Sequence, residues 1–164
     1  METAWLQFDE YEGVAMTTLN PRVRAGGELL MLNNAALGLA GEGGEIADRI
    51  KKVLFQDHPF TDDDRSYIVK ELGDVLWYVA EACFAMGIPM SLVVKINAAK
   101  LRNRYKSGTF TAEESIHRQS TSEGEPETDA SAWLKVSGVE TGRFSTKKPN
   151  IEEVSREDPR NPRD

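Results

Sequence analysis

Apolar residues recur three and four positions apart from Phe8 to Leu19, and the run stops at Asn20-Pro21, where the proline ring disfavours a helical residue before it. The same period returns from about Gly27 to Phe55 and ends near Asp57-His58-Pro59, which predicts a long second helix. Thr61 then offers an N-cap, and Asp62, Asp63 and Asp64 place negative charge at the positive end of a third helix. That helix runs to about Met86, where Gly87 supplies a C-cap and Pro89 a restart. A fourth covers about Pro89 to Lys106 and gives out at Ser107-Gly108. Short connections between long amphipathic helices make neighbours antiparallel, so the predicted fold is all-α, an antiparallel bundle of about four helices.

Composition shifts near Ser107. The following stretch is rich in Ser, Thr, Glu and Gly, holds four of the seven prolines, and has too few large apolar residues to offset its ordering entropy. The expected division is therefore a helical domain over residues 1–110 and a polar, disordered tail over residues 111–164. Within the tail, Ala132 to Val136 and Arg143 to Ser145 are the segments able to pair as a hairpin or dock on a partner.

A chain of 164 residues with a net charge of −7 is one ordinary domain, and it lacks the surplus of Lys and Arg that a general nucleic-acid binder needs. Its apolar runs are short and broken by charge, and Met1 to Trp5 carry no basic region leading into an apolar stretch, so neither a membrane span nor a secretory signal is expected. The lone cysteine, Cys83, excludes an internal disulfide framework and a thiolate zinc cage, and is expected as a small buried hydrophobe. These features together predict a soluble, cytoplasmic protein.

The chemistry concentrates in Glu42-x-x-Glu45 and, after twenty-five intervening residues, Glu71-x-x-Asp74. Residues three apart share a helix face, so each pair presents two carboxylates in one direction. Their flanks are apolar or small, where uncompensated charge is costly. Glu45 and Glu71 each lie about ten residues, roughly 15 Å, from the loop joining the two helices, so antiparallel packing brings the pairs to one height. Four such carboxylates call for a cation, and all-oxygen ligation selects Mg²⁺, Mn²⁺ or Ca²⁺ over zinc or copper.

Beyond the acids, the second-helix stripe continues to Gly38 and Ala35. The third-helix stripe continues to Tyr78 and Glu81, with Trp77 beside it, so small residues face aromatic ones as a base pocket would need. Gly38, Gly41, Gly43 and Gly44 each cost roughly 1 kcal/mol of helix stability, which close approach of a ligand or a helix would explain. On the fourth helix, Asn97, Lys100 and Arg104 share a face. Counting back from the Gly87 turn places Lys100 and Arg104 either side of Asp74, where they would hold phosphate oxygens.

Three segments resemble the motifs of the MazG-like family of all-α nucleoside triphosphate pyrophosphohydrolases. They are Gly38 to Asp48 with Lys51-Lys52 following, Glu71 to Tyr78, and Asn97 to Tyr105, in that order over roughly residues 26–110. The Gly43-Gly44 pair makes the first motif richer in glycine than the family pattern, and nothing carries over to the tail. The resemblance implies Mg²⁺-dependent hydrolysis of a (deoxy)nucleoside triphosphate to the monophosphate and pyrophosphate, a reaction on a phosphorus anhydride, by a homodimer or homotetramer. Mn²⁺ is the expected substitute ion. Glu42, Glu45, Glu71 and Asp74 would hold the metal, with Glu42 or Glu45 the base that takes the proton of the attacking water. An oligomer is expected independently, since Val75, Leu76, Val79, Cys83, Leu92, Val93 and Ile96 offer more apolar surface than one small core covers. A di-iron carboxylate bundle needs Glu-x-x-His pairs, and the two histidines, His58 and His117, stand in neither motif. The alternative is a non-catalytic helical protein that keeps the fold and binds a nucleotide or a partner.

Overall fold

The computed structural model describes residues 6–116, and every element among them is helical. Helix α1 spans Phe8–Ala15 and tightens into a 3₁₀ turn at Met16–Thr18. The next is α2, Pro21–Ala25, followed by α3, Glu28–Phe55, and α4, Asp62–Met86. Then come α5, Met90–Arg104, and α6, Ala112–Ile116. The predicted first helix thus closes a turn early, and Pro21 starts a short helix of its own beneath the Asn20 side chain, which accepts the Arg22 N–H. Just past residue 110, where the helical domain was expected to end, Ala112–Ile116 forms one short helix. Residues 117–164, including the Ala132 to Val136 and Arg143 to Ser145 segments, lie outside the described residues.

Helices α3 and α4 form the long antiparallel hairpin that frames the molecule. Thr61 caps α4 reciprocally with Asp64: the Thr61 N–H donates to Asp64 Oδ2 at 2.6 Å, and the Asp64 N–H returns to Thr61 Oγ1. At the far end Gly87 adopts φ +65°, the left-handed conformation that closes a helix. The apolar core sits at that far end, where Ala15, Met16, Leu19, Met31, Ala80, Cys83, Ala85 and Met90 are buried together. Burial pushes the Cys83 thiol up to about 11, so it stays a neutral core group.

One expectation of the bundle fails. Helix α5 turns through 105° from α4 instead of doubling back along it. Two carboxylates of α1 fix its start: Glu12 accepts the Met90 N–H, and Asp9 accepts both the N–H and the hydroxyl of Ser91. These acids take the orphan donors at the positive end of α5 and hold it against α1. No single helix among the described residues is long and apolar enough to cross a membrane.

Candidate metal centre

Midway along the hairpin, Glu42 and Glu45 of α3 meet Glu71 of α4, with one carboxylate oxygen from each lying within 4.8 Å of the others. The matched heights expected from the loop are therefore present. Glu71 is buried, Glu42 half-buried and Glu45 exposed, so the cluster has a floor and an open rim. Asp74 does not join the three. It is exposed one turn on, and its charge adds to the field around Glu42.

The electrostatics are those of crowded like charges. Burial first, then a hydrogen bond with Glu71, then the charges of Glu45, Glu71 and Asp74 raise the Glu42 carboxyl above its ordinary value. The donor set is oxygen only and over-supplied with negative charge, which fits a hard divalent cation. Glu42, Glu45 and Glu71 would hold such an ion, with Asp74 within electrostatic reach.

Raised carboxyls have a measurable consequence. Burial also raises Glu12 and Glu81, and at all three positions the folded chain holds its proton more firmly than the unfolded one. Their stabilisation is therefore full below the ordinary value of 4.5 and is lost as pH rises through the raised values. Asp9, Asp48 and Asp64 are lowered and act in the opposite sense, but only below 3.8. In EDTA the melting temperature is accordingly expected to fall as pH rises above the ordinary value of 4.5, and Glu42→Gln should flatten the slope. A melting temperature that climbs across this range would contradict the crowding.

Next to the acids, Gly38 lies under the ring of Tyr78: a Cβ built on it would come within 2.2 Å of Tyr78 Cε1 and Cζ. The tyrosine thus fills the space that the facing stripes were expected to leave for a base. By contrast, a Cβ on Gly41, Gly43 or Gly44 would meet nothing within 4 Å, so a neighbouring helix of the same chain does not explain them. Ala35 is fully packed away, and the Trp77 side chain packs against the core cluster. The Trp77 indole N–H donates to the Ala15 carbonyl at 3.1 Å and the Thr18 hydroxyl at 2.8 Å, which anchors α4 to the 3₁₀ turn. Trp77 touches Tyr78 edge-on, at 5.0 Å and 86°.

One turn beyond Tyr78, Glu81 is completely buried and accepts from Asn34 Nδ2 at 2.8 and 3.1 Å. Asn34 was not foreseen, although it lies on the stripe of Ala35 and Gly38. Two further residues, Tyr67 and Arg49, lie outside the sequence reading and join the capping Asp64 on the loop side of the acids. Tyr67 donates to Glu45 Oε2 at 2.5 Å, Arg49 lies over the Tyr67 ring at 4.9 Å, and Arg49 Nε pairs with Asp64 Oδ1 at 2.7 Å. Their signal was spacing: Glu45 and Arg49 are one turn apart on α3, as are Tyr67 and Glu71 on α4.

Asn97 and Lys100 are exposed on α5, and Arg104 is half-buried. Because α5 leaves at 105°, Lys100 does not stand level with Asp74. Among the described residues, no hydrogen bond or ion pair joins these three predicted phosphate ligands to the acids. The lysines beside the first motif are held by Asp48, which pairs with Lys51 at 2.6 Å and Lys52 at 2.7 Å.

A helical hairpin with three convergent glutamates defines an all-α protein with an acidic, metal-competent centre. Residues 32–109 match the model of the MazG nucleotide pyrophosphohydrolase domain, and the chain belongs to that family. It is also similar to the Gene 37 protein of Mycobacterium phage L5, with 40% identity over 80 residues that cover 48% of this chain and 70% of that protein. No solved structure matches the chain.

Proposed function

We propose that this protein hydrolyses a (deoxy)nucleoside triphosphate to its monophosphate and pyrophosphate with Mg²⁺, for which Mn²⁺ can substitute. The observation that carries the reading is the convergence of Glu42, Glu45 and Glu71 in a MazG domain. The bound cation would neutralise triphosphate oxygens and favour attack at phosphorus. The residues supply the rest. Glu71, at the buried floor, fixes the depth of the site, while Glu45 at the rim meets solvent. Glu42 or Glu45 takes the proton of the attacking water as its oxygen bonds to the α-phosphorus. The bond to the bridging oxygen then breaks, and pyrophosphate leaves with the electron pair. Release of pyrophosphate from nucleoside triphosphates tests the proposal directly.

We also propose that the protein works as a homo-oligomer. Val69, Leu72 and Leu76 form one exposed stripe of α4, and Leu29 and Leu37 stand 79% and 66% exposed on α3. Such a face is apolar surface that a second copy would cover. Cys83 and Leu92, counted for this surface from the sequence, are instead buried in the chain. Asn97, Lys100 and Arg104 enter the reading as phosphate ligands across a subunit boundary. Copies carrying Glu45→Ala, mixed with copies carrying Lys100→Ala, are then expected to recover activity that neither has alone. Monomeric sedimentation at micromolar concentration, or no recovery, would remove the three from the site.

A further inference from the structure

We infer that Tyr67 is a positioning residue of the acidic centre, holding the Glu45 carboxylate through a hydrogen bond that Arg49 and the cap of α4 keep in register. The inference rests on the reading of the glutamates as the metal and catalytic site. Glu45 is the exposed member of the cluster, and an exposed glutamate samples several rotamers unless something fixes it. The phenol fixes it. Its one proton goes to Oε2 at 2.5 Å, which leaves Oε1 to face a cation or a water.

The phenol is itself held on its other side. The Arg49 guanidinium lies over the Tyr67 ring at 4.9 Å, a cation–π contact that fixes the ring plane. Arg49 is in turn tied to Asp64 at 2.7 Å, and Asp64 accepts from both the N–H and the hydroxyl of Thr61 at 2.6 Å. An unbroken line of side chains thus runs from the N-cap of α4 to the carboxylate. The bidentate hold on Thr61 leaves Asp64 little freedom, so each later link inherits a defined position. Packing alone would not require the hydroxyl, because the ring would rest under Arg49 equally well as phenylalanine.

Tyr67→Phe in the full chain isolates the hydroxyl while keeping the ring. Three quantities are needed: Mn²⁺ binding by calorimetry without nucleotide, kcat and KM with nucleotide, and the melting temperature in EDTA. Partners that orient metal ligands typically matter by about tenfold or more, so Mn²⁺ affinity and kcat are each expected to fall by about that factor. The nucleotide KM should change by less than about twofold, and the metal-free melting temperature should hold, since the lost hydrogen bond is exposed. Arg49→Gln should show a smaller loss of Mn²⁺ affinity in the same direction. If Tyr67→Phe binds Mn²⁺ and turns over like the wild type, the inference is overturned and the metal-site reading stands. A fall in stability with unchanged Mn²⁺ affinity assigns Tyr67 to packing and also overturns it. A wild-type protein that takes up no Mn²⁺ overturns the inference together with the reading beneath it.

Discussion

Glu71→Gln is expected to reduce nucleotide turnover by at least about a thousandfold, because a cation at the reacting phosphate supplies several kcal/mol of charge stabilisation. The same change should erase the thermal stabilisation that millimolar Mg²⁺ gives the wild type, about 2.7 kcal/mol at a hundredfold excess over the dissociation constant. Without metal the sign reverses. Glu71 is buried against Glu42, whose carboxyl is pushed up partly by its charge, so a neutral amide relieves repulsion in the folded state. In EDTA the variant should therefore melt no lower than the wild type, and melting curves with and without Mg²⁺ check both halves. A variant less stable in EDTA yet still stabilised by Mg²⁺ would show that Glu71 serves the hairpin and not an ion.

The largest effect on stability is expected at Gly38. Alanine there brings a methyl group within 2.2 Å of the Tyr78 ring, and the ring is already braced edge-on by Trp77. Overpacking of this kind costs about 1–3 kcal/mol, against about 1 kcal/mol recovered from helix propensity. The net expectation is a loss of up to about 2 kcal/mol, measured by denaturant unfolding. Gly43→Ala is the internal comparison, since its Cβ meets nothing within 4 Å and the change should stabilise by up to about 1 kcal/mol. If both substitutions stabilise alike, the Tyr78 ring does not rest on Gly38.

The contrast between these two glycines shows how far the sequence could be read. Period and caps located α3 and α4 closely, because Thr61, Asp64 and Gly87 act on the backbone beside them. The height of Glu45 and Glu71 followed from the same local geometry, since a short connection leaves antiparallel helices little choice. The direction of α5 did not follow. Residue spacing defines a face but not a crossing angle, and this one is set by Glu12 and Asp9, which reach Met90 and Ser91 from 78 and 82 positions earlier in the chain. Spacing alone also places Trp77 only beside the Tyr78 stripe, whereas the Ala15 carbonyl and the Thr18 hydroxyl draw its indole toward the 3₁₀ turn. Tyr67 and Arg49 each have an ordinary place on a helix surface, and only the pairing of α3 with α4 joins them with the capping Asp64 into a line.

The central claim is that the glutamate cluster of this MazG domain works on nucleoside triphosphates. Its most direct test is pyrophosphate release by the full chain, with each of the eight common ribo- and deoxyribonucleoside triphosphates offered separately in Mg²⁺. The account predicts stoichiometric pyrophosphate and monophosphate from at least one of them, abolished by EDTA and absent in Glu71→Gln. Release of orthophosphate in place of pyrophosphate, or turnover that persists in Glu71→Gln, would contradict it. So would binding of a nucleotide with no hydrolysis of any of the eight.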